Sequence, residues 1–178
     1  VRILYGVVLM ALYLCAASRP GVWLRDAFLY QQADGGFAGR DSYGIYALTV
    51  TAADNETQAV FAMNGETITY RLVTASPTEI QIYQDDRQIF AGQAIGEPGD
   101  AVLWAENGQL ADEINVVVNG EYQMQDLLPT CQWLYNVAVG GRVETRGNLW
   151  FLLPMGLLAL VLFLDVKFPR LFWNLNHG

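Results

Sequence analysis

Two long apolar runs bracket a middle stretch in which apolar and polar residues alternate in short bursts. Residues 3–18 (ILYGVVLMALYLCAAS) carry no charge, and neither do residues 147–164 (GNLWFLLPMGLLALVLFL). Within the second run, Leu149 to Leu164 is unbroken and apolar. As a helix those residues span about 24 Å, short of a hydrocarbon core of about 30 Å. Asn148, Asp165 and Val166 are needed to complete a crossing, so the expected transmembrane helix covers 149–166. Pro154 falls early in it, where a lost hydrogen bond does least damage. Trp150 near one end, and Phe168, Phe172 and Trp173 near the other, are placed as aromatic belts are. Asp165 can reach back to the interface with Lys167 beside it. Trp150, Asp165, Lys167, Phe168, Phe172 and Trp173 are therefore the expected membrane-interface residues.

The first run has the length of either a signal peptide or a short anchor. Arg2 supplies a basic start, and Ile3 to Ala17 is the apolar segment. Cys15-Ala16-Ala17 offers small residues for cleavage after Ala17, but Arg19-Pro20 directly after that point disfavours it. Leu12-Tyr13-Leu14 before Cys15 lacks the small residues of a lipoprotein site. Residues 1–19 are read as a signal anchor or a signal peptide, and both send the middle of the chain outward. The tail, 167–178, is then a cytoplasmic juxtamembrane segment.

Between the runs the period is two. Gln58–Met63, Asn64-Gly65 and Glu66–Val73 form a hairpin signature, with Asn-Gly supplying the positive φ angles of a type I′ turn. Ile45–Thr51 precedes it, and Glu79–Tyr83 turns at Gln84–Arg87 into Gln88–Phe90. Ala101–Ala105 precedes Asn107-Gly108, and Ile114–Val118, Asn119-Gly120 and Glu121–Met124 read as another hairpin. Short strands at this spacing predict a mainly β fold, a small antiparallel β-sandwich or open barrel, over 44–139. Two stretches depart from period two. Val22–Gln31 places Trp23, Ala27 and Tyr30 at helical spacing, so 20–43 is expected to be a partly helical connector. Asp126–Val139 puts Leu127, Cys131, Leu134 and Ala138 on one face, with Asp126 as N-cap and Gly140-Gly141 as the stop. It predicts one short helix packed on the sheet, and 140–148 is a linker into the last apolar run.

Composition sharpens the contrast between middle and ends. Charged residues make up 16% of the chain, below the roughly 25% of ordinary soluble domains. Residues 19–146 nevertheless hold seven arginines against seventeen acids, a formal net charge of −10. Such a surface repels nucleic acid, whose binding depends on neutralising phosphates. Cys15 and Cys131 fall in different parts of the chain, and no disulfide is expected.

Chemistry is sparse. The one histidine, His177, and the one lysine, Lys167, both lie beyond the middle stretch. Histidine-dependent nucleophilic catalysis has no base there, and zinc lacks ligands. No phosphate loop or dinucleotide fingerprint occurs, and no cofactor is expected. Carboxylates remain. Asp34 and Asp41 frame a glycine-rich segment, DGGFAGRD, that is the candidate for a calcium loop, although two acids supply few of the six to eight oxygens calcium takes.

The ending Lys167-Phe168-Pro169-Arg170-Leu171-Phe172-Trp173 resembles the tail of an uncharacterised family of small bacterial membrane proteins, in which a membrane helix runs into a proline, a basic residue and an aromatic pair. The resemblance covers about twenty-five residues and implies a bacterial membrane, with no activity attached. The expected function is a membrane-anchored, extracytoplasmic, non-catalytic binding or scaffolding module. Its partners are the lipid bilayer and a membrane or cell-envelope protein. The alternatives are a carboxylate-dependent enzyme on cell-surface glycans and a ligand or ion sensor.

Overall fold

In the computed structural model of the chain, residues 2–111 and 127–168 are described. The chain divides into two compact units, one formed by residues 1–19 with 145–178 and the other by residues 20–144.

The 20–144 unit is mainly β. Nine strands follow one another: β1 (Pro20–Leu24), β2 (Ala27–Gln31), β3 (Phe37–Arg40), β4 (Ile45–Ala53), β5 (Glu56–Met63), β6 (Glu66–Thr74), β7 (Glu79–Gln84), β8 (Arg87–Ile95) and β9 (Val102–Ala105). Helix α2 (Cys131–Ala138) comes later, then β10 (Glu144–Thr145). All ten strands belong to one open antiparallel sheet in the order β10-β1-β2-β3-β4-β5-β6-β7-β8-β9. From β1 to β9 it is a pure meander, so each strand pairs with its sequence neighbour. The expected Asn64-Gly65 hairpin forms with Met63 opposite Glu66, and its turn residues have φ of 53° and 92°.

Alternation assigns one face of the sheet to the interior. Val22, Leu24, Ala27, Leu29, Phe37, Tyr46, Leu48, Ala59, Phe61, Met63, Tyr70, Leu72, Ile80, Ile82, Phe90, Ala94 and Leu103 join Leu134, Tyr135 and Val137 of α2 in one buried cluster. Eight strand spacings separate β1 from β9, about 38 Å in a flat sheet, whereas α2 is only about 12 Å long. Yet the Trp133 indole N–H donates to the Trp23 carbonyl of β1 at 2.6 Å, and the Asn136 side chain holds Ala101, next to β9. One two-turn helix reaches both only if the sheet curls around it.

Several expectations change here. Val22–Gln31 is not helical: it is the β1–β2 hairpin, turning at Arg25-Asp26 with Arg25 at φ 52°. Inward burial of Val22, Leu24, Ala27 and Leu29 overrides the helical spacing of Trp23, Ala27 and Tyr30. The region expected to be a connector, 20–43, therefore supplies three strands of the sheet. The helix after it begins at Cys131 with Thr130 as N-cap, whose hydroxyl accepts from the Trp133 N–H at 3.2 Å. Pro129 keeps Leu128 from helical geometry, so the helix cannot run back past the proline. Asp126, the expected N-cap, and the hairpin expected over 114–124 lie outside the described residues.

The other unit holds helix α1 (Arg2–Ala17) and helix α3 (Leu152–Lys167), the latter preceded by a 3-10 turn over Leu149–Phe151. Each helix has sixteen residues. Among the described residues no helix is long and apolar enough to cross a membrane. The expected 149–166 helix is shortened by Pro154, whose ring would strike the Trp150 carbonyl in a continuous α-helix. Arg19, preceding Pro20, is likewise pushed from helical geometry beyond the end of α1. The two helices pack on one another.

Candidate functional site

The β5–β6 turn fixes what stands outside the sheet. With Asn64-Gly65 at the tip, Gln58 lies opposite Arg71, and Arg71 lies opposite Tyr83 on β7. Leu72 and Ile82 point inward, so Arg71 and Tyr83 point out. The Arg71 guanidinium sits 4.2 Å from the centre of the Tyr83 ring, and its ion pair with Glu56 is long, at 3.7 Å. The next turn, Asp85-Asp86, adopts φ of 45° and 70° and folds back over Thr69. The Asp85 carboxylate accepts the Thr69 N–H at 3.2 Å, and the Asp85 N–H donates to the Thr69 carbonyl at 3.0 Å. Together Gln58, Thr69, Arg71, Asp85 and Asp86 line a shallow depression of about 340 Å³.

This groove offers one guanidinium, two carboxylates, an amide and a hydroxyl. It contains no thiol or imidazole, so its chemistry is hydrogen bonding and charge pairing with a small polar group. The residues were legible in principle: a two-residue turn at 64–65 forces 58 opposite 71, and the Asp85-Asp86 turn was already expected.

The calcium candidates do not converge. Asp34 sits in the turn before β3, where its carboxylate accepts the Gly36 N–H at 3.0 Å. Asp41 lies beyond the other end of β3 and accepts from the Tyr43 N–H at 2.7 Å, the Gly44 N–H at 3.0 Å and the Tyr46 hydroxyl at 3.0 Å. The glycine-rich candidate loop is thus a turn and a strand, with Phe37 buried. No group of three or more His, Cys, Asp or Glu side chains is placed to hold a metal ion among the described residues.

Two phenols are perturbed. Burial, reinforced by the hydrogen bond to Asp41, pushes Tyr46 up to about 12. Burial also pushes Tyr70 up to about 12. Both are neutral near pH 7 and belong to the core. Cys15 is exposed and Cys131 partly buried, and neither is in a disulfide.

Of the expected interface residues, Trp150 is 75% exposed in the 3-10 turn, and Lys167 and Phe168 are exposed at the far end of α3. The Asp165 side chain, Phe172 and Trp173 lie outside the described residues. What the sequence leaves unsaid is how bare these helices are. Val7, Leu9 and Leu12 of α1, and Leu153, Leu157, Leu158 and Leu162 of α3, are all roughly half exposed or more. Comparison with protein-family models, curated proteins and solved structures finds no match.

Proposed function

We propose that the chain is a membrane-anchored module that displays an acidic, curled β domain on the extracytoplasmic side and holds a partner there without catalysis. The observation that carries this reading is the pair α1–α3, in which most of the described large apolar side chains are exposed. Soluble monomers rarely expose so many large apolar side chains on two packed helices, and lipid is the solvent that suits them. Neither helix is long and apolar enough by itself to cross, so the reading takes α3 together with the turn before it. The sixteen residues of α3 span about 24 Å, and the three-residue 3-10 turn adds about 6 Å, close to a hydrocarbon core of about 30 Å. The resemblance of the Lys167–Trp173 tail to small bacterial membrane proteins adds to it.

The domain is one open antiparallel sheet, which we read as an open barrel with its interior filled by side chains. Partner contact therefore falls on the outer surface, where the Gln58–Arg71–Asp85 groove is one depression. The absence of histidine and lysine from residues 19–146 favours binding over catalysis. The test is purification from native membranes in mild detergent, with identification of co-purifying proteins. A stoichiometric envelope or membrane protein is expected, and an R71Q/D85N variant should release it. Recovery of the chain alone, under conditions that keep other complexes intact, would remove the scaffolding half of the proposal.

A further inference from the structure

The groove on the outer face of the sheet has its polar groups held in place by the fold. Gln58 lies opposite Arg71 across the β5–β6 pair, and Thr69 is the next residue of β6 on the same face. The Arg71 guanidinium lies 4.2 Å from the centre of the Tyr83 ring and pairs with Glu56 through Nη1 at 3.7 Å. A guanidinium carries five N–H donors in one plane, so these two partners orient the fork without exhausting it. On the other side, the Asp85 carboxylate accepts the Thr69 N–H through Oδ1 at 3.2 Å. A carboxylate has about four acceptor positions, so that bond fixes the group and keeps most of its capacity. Asp86 follows at φ 70° and lines the same depression of about 340 Å³. A fixed donor fork and fixed acceptors thus face one small space. A purely anionic ligand meets the two carboxylates there, and a purely cationic one meets the guanidinium. A sugar would want an open aromatic face, and Arg71 already covers the Tyr83 ring. A zwitterion satisfies both sides at once. Thr69, which anchors Asp85, and Arg71 are one two-residue strand step apart, about 7 Å. An ammonium and a carboxylate joined through one carbon are about 2.5 Å apart. A hydrogen bond of about 2.9 Å on either side lets them bridge such a step.

We propose that this groove binds a small polar α-amino acid, with Arg71 taking its carboxylate and Asp85 and Asp86 its ammonium. The inference rests on the reading of the groove as a binding surface and adds to it a ligand class. The Gln58 amide and the Thr69 hydroxyl line the same space, so the ligand side chain that suits it is short and hydrogen-bonding.

The full chain in mild detergent is titrated with L-serine by isothermal calorimetry. Two half-ligands run beside it: N-acetyl-L-serine, which lacks the ammonium, and L-serinamide, which lacks the carboxylate. Saturable binding of L-serine is expected, with each half-ligand weaker by about tenfold or more, the loss of one hydrogen bond to a charged group. R71Q and D85N/D86N should each weaken L-serine by a similar factor. R71K, which keeps the charge, should retain part of the affinity, and R40Q should leave it unchanged. Asparagine at 85 keeps an acceptor for the Thr69 N–H, and an unchanged β circular dichroism spectrum checks that the turn survives. Half-ligands that bind as well as L-serine would overturn the site, and so would a chain that does not bind L-serine. Tighter binding of O-phosphoethanolamine, whose charges stand further apart, would assign the groove to a lipid headgroup and would also overturn it. A chain that keeps a co-purifying envelope protein but ignores L-serine defeats this inference alone, whereas a chain with neither defeats the binding reading itself.

Discussion

Asn136 is polar and buried in the β unit, 3% exposed, and it behaves as a piece of strand. Its amide accepts from the Ala101 N–H and donates to the Ala101 carbonyl, each at 2.9 Å. Replacing it with alanine leaves two buried main-chain groups unpaired. N136A should therefore cost about 2–4 kcal/mol, read as a lower urea midpoint at unchanged slope. Tyr46 and Tyr70 carry a pH signature. Their phenols titrate near 12 in the fold and near 10 when unfolded. The unfolded chain thus gives up these protons first. Their stabilising share is fully present below pH 10 and is lost as pH rises through 12. Unfolding curves should show stability falling across that window, and Y46F should remove part of the fall.

Elements were legible where turn chemistry was strong. Asn64-Gly65 announced its hairpin, and the register of that hairpin placed Gln58 opposite Arg71. The β1–β2 turn was hidden because Arg25-Asp26 contains no glycine, although Arg25 adopts φ 52°. Trp23, Ala27 and Tyr30 then mimicked a helix. Strand β3 was hidden by the glycines around it, and only the burial of Phe37 explains why it pairs. Curling of the sheet was not readable at all, since it depends on where Trp133 and Asn136 reach across many strands. The α2 start is testable. T130A removes the cap on the Trp133 N–H and should cost about 1 kcal/mol, seen in thermal unfolding. T130S, which restores an acceptor, should recover most of that loss.

At the scale of the whole molecule, every residue of the buried cluster falls within 22–137. A fragment of residues 20–144 should accordingly fold alone, stay soluble without detergent, and melt in one cooperative transition with a β circular dichroism spectrum. Among the described residues the helical unit contributes nothing to that cluster. Most of its described large apolar side chains are exposed, and its two sixteen-residue helices are joined at one end by the Ala17–Gly147 and Arg19–Arg146 hydrogen bonds. Sequence pattern revealed the apolar runs but not this junction, which pairs residues about 130 positions apart.

The proposed role depends on those helices being held by lipid. Alkaline carbonate extraction of membranes containing the full chain addresses that directly, because it strips proteins bound by charge or by other proteins and leaves those embedded in hydrocarbon. The full chain is predicted to remain with the sedimented membranes, while the 20–144 fragment is found in the wash. Release of the intact, folded full chain into the wash would contradict membrane anchoring.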